Sequence, residues 1–194
     1  CNTASVKALR EIQQEYLPKF YPDKRVLGIV VPAVETAVKL SRGNKLGVIG
    51  TTVTINSGVY KKELEKLRAD LKIFQEACPL LVPLIEEGWA GKPEGRMILK
   101  KYLRPLKVKQ IDTLILGCTH YPSLTKDIVR VMGKNVKIIN PAVVTAEKLI
   151  DYLKRHGEME KKLGKNKKLV FYTTDDINKF RELGRKILGK EIKD

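Results

Sequence analysis

Asp112-Thr113-Leu114-Ile115-Leu116-Gly117-Cys118-Thr119-His120-Tyr121-Pro122 passes from an unbroken apolar run into a short polar turn, then reaches a proline suited to a first helical turn. An apolar run without polar alternation is what a strand covered on both faces requires, and such strands belong to parallel sheets flanked by helices. Runs of the same character occur at 26–31, 46–50, 136–140 and 169–172, with 71–74 a weaker candidate. Longer amphipathic segments separate them. Residues 5–17 place Val6, Leu9, Ile12, Tyr16 and Leu17 along one stripe, and Pro18 is expected to end that helix. Residues 57–71 carry Tyr60, Leu64, Leu67 and Leu71 at three- and four-residue spacing, and 93–103, 122–132, 145–156 and 175–188 complete the helices, the last capped by Asp175 or Asp176. Strands alternating with helices define an α/β protein with a parallel sheet.

Asp23-Lys24 precedes the first of these strands and Asn140-Pro141-Ala142 follows the run at 136–140, so residues 24–141 are expected to form one complete α/β domain. Residues 1–23 supply a single helix and 142–194 a helix, a strand and a helix. Neither flank can bury a sheet alone, and both are read as parts of a first domain, 142–194 returning to it.

The 194 residues include 43% hydrophobic ones, which excludes a disordered chain. No apolar run approaches the roughly 18 residues of a membrane span, and no basic-then-apolar leader is present, so a cytoplasmic protein without membrane partners is expected. Cys1, Cys78 and Cys118 are odd in number and widely spaced, which fits no disulfide framework. His120 and His156 stand 36 positions apart and there is no CxxC pair, so zinc is not expected. No lysine lies in a recognisable pyridoxal-phosphate setting, and no cofactor is expected. The formal charge of +16, from 38 basic and 22 acidic residues, creates a field that attracts anions, including dicarboxylates. The basic residues are dispersed among acids and no nucleic-acid-binding motif is present, so nucleic acid is not the expected partner.

Two short segments resemble each other. Cys1-Asn2-Thr3-Ala4-Ser5 opens a helix, and Cys118-Thr119-His120-Tyr121-Pro122 follows a strand and opens another. In each a thiol sits where backbone N–H groups and the helix dipole favour an anion, a setting that lowers a cysteine pKa. Small polar neighbours suit hydrogen bonding to carboxylate or ammonium groups. Ligands of parallel sheets bind at the carboxyl ends of the strands, so two such sites facing each other would place a thiol on each wall of a cleft. Cys78, without polar neighbours, is read as a core thiol, and His156 as a surface residue.

The segment 116–122 resembles the second-cysteine motif of glutamate racemases, and Cys1-Asn2-Thr3-Ala4-Ser5 is similar to the first. Gly47-Val48-Ile49-Gly50-Thr51 through Thr54, Ser57-Gly58 and Tyr60 resembles the middle signature of that family. Ala77-Cys78-Pro79-Leu80, Val82-Pro83-Leu84-Ile85-Glu86 and Phe171-Tyr172-Thr173-Thr174-Asp175 also match in order. His120 stands where aspartate racemases usually have an acidic residue. The resemblance implies two similar, flavodoxin-like α/β domains with the active site in the cleft between them, the first incomplete in this chain. It implies cofactor-independent interconversion of L- and D-glutamate, supplying D-glutamate for peptidoglycan in the cell wall. Cys1 and Cys118 would be the two acid/base groups, assisted by His120. Asn2, Thr3, Thr51, Thr54, Thr119 and His120 would bind substrate, with Glu86 behind the histidine. A homodimer is compatible with it.

The family's upstream Asp-Ser pair and Pro-Tyr-Gly turn do not occur in these 194 residues, so the sequence reads as N-terminally incomplete and the chain alone is expected to be inactive. Two other readings stand beside this one: an aspartate or related amino-acid racemase of the same fold, and an inactive fragment or binding protein exploiting the positive charge.

Overall fold

Four of the apolar runs become strands of one parallel sheet: β1 (Lys45–Gly50), β2 (Lys72–Ala77), β3 (Thr113–Gly117) and β4 (Lys137–Ile139), in the order β2-β1-β3-β4. The computed structural model describes residues 1–166 and 169–192. The weak candidate at 71–74 is a full strand, paired along β1 from Lys45↔Lys72 to Gly50↔Ala77. Its own burial is only partial, which is why its apolar signal was faint.

Alternation across the sheet divides the core. Leu114 and Leu116 of β3, with Ile49 of β1, pack beside Leu81, Leu99, Leu103 and Leu106 from α6 (Leu81–Glu86) and α7 (Pro93–Val108). Ile115, Leu46 and Val48 point the other way, onto Val30, Ala33, Val34, Ala37 and Leu64 from α3 (Val30–Leu40) and α5 (Val59–Leu67). Both faces are covered, as uninterrupted apolar strands demand. Full burial of one such leucine contributes about 1.5–3 kcal/mol.

Two expected strands are absent. Residues 26–31 do not pair with the sheet, and the helix α3 begins at Val30. Pro32 falls in its first turn, where a missing N–H costs nothing, and Val30, Ala33, Val34 and Ala37 repeat at helical spacing. That periodicity outweighs the β-branched content. Residues 169–172 likewise pair with none of the described strands, because an extended apolar segment becomes a strand only where a neighbour accepts its backbone hydrogen bonds.

The first helix runs past its expected stop. After α1 (Asn2–Glu11) the backbone widens into π-helical turns over Ile12–Tyr16, then continues as α2 (Leu17–Phe20). A local π segment is a known way for a helix to absorb an interior irregularity such as Pro18. The remaining helices of Cys1–Tyr152, the first of two compact units, are α4 (Thr52–Asn56), α8 (Thr125–Met132, after a 3-10 turn at Tyr121–Leu124) and most of α9 (Pro141–Arg155). The second unit, Leu153–Asp194, holds α10 (Gly157–Lys161) and α11 (Ile177–Leu188), whose N-cap is Asp176, accepting from the N–H groups of Asn178 and Lys179. Among the described residues no helix is long and apolar enough to cross a membrane.

β1 and β3 end side by side, with Gly50 opposite Gly117. A Cβ at Gly117 would sit 2.7 Å from the carbonyl oxygen of Ile49 and 3.4 Å from the Tyr60 ring. Gly117→Ala is therefore expected to push the end of β3 off β1, at a cost of about 1–3 kcal/mol, the usual range for overpacking. Thermal unfolding of the variant checks it: an unchanged midpoint would show that the strand end has room to move.

Candidate active site

The strand order changes direction between β1 and β3, since one connection leads outward to β2 and the other to β4. At such a switch point the connections leave on opposite faces and open a crevice beyond the carboxyl ends of the strands. The residues immediately after those ends are Thr51 and Cys118. Both belong to the set expected from sequence.

Cys118 is buried, 7% exposed. His120 lies with Nδ1 3.8 Å from its Sγ, and on the far side of the ring Nε2 is 3.1 Å from Glu86 Oε1. Thiol, imidazole and carboxylate thus form a line from the end of β3 to the end of α6. With Nε2–H donated to Glu86, a neutral ring turns the bare Nδ1 lone pair toward the thiol. Burial drives the Cys118 pKa up, and the backbone N–H groups of His120 and Tyr121 pull it down, without cancelling the effect of burial. The anion-favouring turn read from the sequence is therefore present, yet desolvation outweighs it and Cys118 rests as a neutral thiol.

Cys1 is exposed and caps α1, its Sγ accepting from the Ala4 N–H at 3.5 Å. The next two residues tie this helix to the sheet edge. Thr3 Oγ1 is 3.1 Å from Thr51 Oγ1 and 3.3 Å from Thr54 Oγ1, and Thr51 Oγ1 donates to Thr54 Oγ1 at 3.1 Å. Asn2 is 2% exposed; its Oδ1 accepts from Tyr60 OH, while its Nδ2 is buried without a partner. Tyr60 lies close enough to Cys118 for the thiol's charge to bear on its phenol. The structure thus brings Thr3, Thr51 and Thr54 into one polar cluster at the carboxyl end of β1, joins Asn2 to Tyr60, and brings Cys118, His120 and Glu86 into another cluster. Thr119 stands exposed between Cys118 and His120. Cys78 follows β2 but is buried with its pKa pushed up to about 12, chiefly by desolvation, as a core thiol should be.

The sequence places Tyr60 in a helical apolar stripe and in the family's middle signature, but does not mark it as a site residue. A tyrosine in the buried stripe of α5 needs a partner for its hydroxyl, and that requirement was the available signal. A groove of about 810 Å³ lies elsewhere, between α7 and α8, lined by Arg96, Lys100, Arg104, Lys107 and Arg130 around the ion-paired Asp127. It contains no expected site residue, whereas Cys118, His120, Glu86 and the threonine cluster lie at the strand ends.

The sequence matches the Asp/Glu/hydantoin racemase family over residues 1–149. It is 41% identical over 189 residues to a glutamate racemase of Sulfurihydrogenibium sp., covering 97% of this chain and 67% of that protein. It is 38% identical to one of Oceanobacillus iheyensis, covering 96% and 66%. In structure it matches a glutamate racemase isoform of Bacillus anthracis with a TM-score of 0.86 at 35% identity, covering 99% of this chain and 69% of the other. It also matches the Francisella tularensis glutamate racemase solved with D-glutamate, with a TM-score of 0.82 at 31% identity, covering 100% and 69%. The chain belongs to the Asp/Glu/hydantoin racemase family and, within it, to the glutamate racemases. It spans about two thirds of the length of these relatives.

The burial pattern sets an order of thiol reactivity. The thiolate is the reactive form, so a thiol whose pKa is held above its ordinary value gains reactivity as pH rises. Alkylation followed by mass spectrometry should modify exposed Cys1 first, Cys118 more slowly and Cys78 last. The Cys118 rate should climb about tenfold per pH unit from 7 to 9. Labelling of Cys118 at neutral pH as fast as a free surface thiol would contradict its desolvation.

Proposed function

We propose that this chain carries the acid/base machinery of a glutamate racemase, interconverting L- and D-glutamate by proton transfer between two thiols. The observation that carries the reading is the Cys118–His120–Glu86 line at the carboxyl end of β3, beside the threonine cluster that ties the Cys1 helix to β1. Relatives named glutamate racemases, one of them solved with D-glutamate, support glutamate as the substrate.

The α-hydrogen of an amino acid is a very weak acid, and inversion requires removal on one face and delivery on the other. His120 Nδ1 takes the Cys118 proton, leaving a thiolate beside an imidazolium that Glu86 stabilises. The thiolate removes the α-proton of L-glutamate, and the Cys1 thiol protonates the opposite face. From D-glutamate the roles reverse, Cys1 acting as base and Cys118 as acid. Asn2, Thr3, Thr51, Thr54 and Thr119 are the proposed hydrogen-bonding partners of the substrate's carboxylates and ammonium. The reaction needs no cofactor, and its product would supply D-glutamate to peptidoglycan synthesis. Residues 24–141 are the proposed core of one α/β domain, with 1–23 and 142–194 assigned to its companion.

Exchange of the α-proton in deuterated water tests the assignment in the complete protein. Cys118→Ala should lower exchange from L-glutamate by about 10²- to 10⁴-fold, and Cys1→Ala exchange from D-glutamate by a similar factor. Wild-type rates in either variant would end the two-thiol mechanism. Turnover of aspartate without glutamate would move the protein to the aspartate branch, and loss of activity in chelator would overturn the cofactor-free reaction.

A further inference from the structure

Tyr60 occupies a position that the reaction as described does not use. Its ring is fully buried in the core on the α3/α5 side of the sheet, at a point reached by both thiol-bearing segments. Its hydroxyl donates to Asn2 Oδ1. A methyl group built on Gly117, at the end of β3, would meet its ring at 3.4 Å, and Cys118 is the next residue. Burial keeps the phenol neutral far above physiological pH, so it remains a donor throughout the range in which an enzyme of this kind works.

An asparagine amide can be turned over at little intrinsic cost, exchanging its oxygen and its nitrogen. Tyr60 biases that choice. A flipped amide could donate Nδ2–H to the phenol oxygen, but the phenol's own hydrogen would then lose its acceptor in the core, so the observed bond favours Oδ1 toward Tyr60 and Nδ2 away from it. That Nδ2 is buried and without a partner, although leaving a buried donor unmade is expensive. An acceptor arriving there would satisfy it. A substrate carboxylate or the developing enolate oxygen has the chemistry required.

We infer that Tyr60 is a positioning residue: its hydroxyl locks the Asn2 side chain so that Nδ2 is held as a pre-aligned donor to a carboxylate oxygen of the substrate. The inference rests on the racemase reading of the same site. Without the lock, the amide would spend part of its time presenting an oxygen, which repels a carboxylate, and each productive encounter would have to bear the cost of reorienting it. Preorganised donors of this kind lose their value when the supporting group is removed, even though nothing touching the substrate has changed.

The test uses the complete protein and four forms: wild type, Tyr60→Phe, Asn2→Ala and the double variant. Phenylalanine keeps the buried ring and removes only the hydroxyl. Tyr60→Phe is expected to raise KM for glutamate in both directions by roughly 5- to 30-fold, the range for one lost polar interaction in a buried site. The alkylation rate of Cys118 should stay within a factor of about two, because the thiol's own surroundings are intact. In the Asn2→Ala background the same substitution should add nothing, since the hydroxyl acts only through that amide. Asn2→Asp provides an arm that leaves the tyrosine untouched: the carboxylate still accepts from Tyr60 but offers no donor, so KM should rise there as well. An unchanged KM in Tyr60→Phe, additive losses in the double variant, or an unchanged KM in Asn2→Asp would each overturn the proposal. A wild-type protein without glutamate turnover would instead overturn the racemase reading.

Discussion

β1 and β3 lie side by side in parallel, in register up to Gly50 opposite Gly117, and the placement of Thr51 and Cys118, onto which the other groups dock, follows from that pairing. The close approach is possible because Gly117 has no side chain where Ile49's carbonyl passes at 2.7 Å from a would-be Cβ. The strand order reverses at this pair, so the chain leaves it on opposite faces and the space above the strand ends stays open. Thr51 and Cys118 enter that space directly from the sheet, without an intervening loop. Groups held on strand ends are positioned more tightly than groups on long loops, which matters where a proton must pass between atoms a few ångströms apart.

In the role proposed for Cys118, two demands compete. A base for an α-proton benefits from desolvation, which makes its thiolate more avid for a proton, but the same desolvation disfavours forming the thiolate at all. Burial raises the thiol's pKa, and the N–H groups of His120 and Tyr121 recover only part of that. The remaining requirement falls on the imidazole 3.8 Å away, held from behind by Glu86. Cys1 is exposed and relies on the Ala4 N–H at the start of its helix. In the proposed reaction the two thiols would meet the same chemical need in different surroundings.

Much of this was legible in the chain. The uninterrupted apolar run before Gly117 could satisfy its backbone and bury its side chains only inside a parallel sheet, and the two cysteine segments declared themselves by their small polar neighbours and helix starts. The errors have one physical source. Residues 26–31 and 169–172 have the β-branched composition of strands, but composition reports only that a segment could sit in a sheet. In the first case Pro32 and the Val30, Ala33, Val34, Ala37 spacing favour a helix, and in the second no described strand accepts the backbone hydrogen bonds. Partial burial hid β2 for the opposite reason, its apolar residues being diluted by Lys72, Gln75 and Glu76.

The sequence by itself determined the chemistry available: two thiols at helix starts, a histidine two residues after one of them, hydroxyls near both, and a parallel sheet to carry them. Those are local properties, set by side-chain type and by periodicity within a dozen residues. Only the tertiary structure decided which groups act together, because contacts between residues separated by 34 to 58 positions leave no periodic trace. Glu86 becomes a partner of His120, Thr3 of Thr51 and Thr54, and Asn2 of Tyr60, through the pairing of strands and the docking of α1 at their ends. The direction of the Cys118 pKa was decided there too, since burial is a property of everything packed around the thiol and not of the residues beside it in the chain.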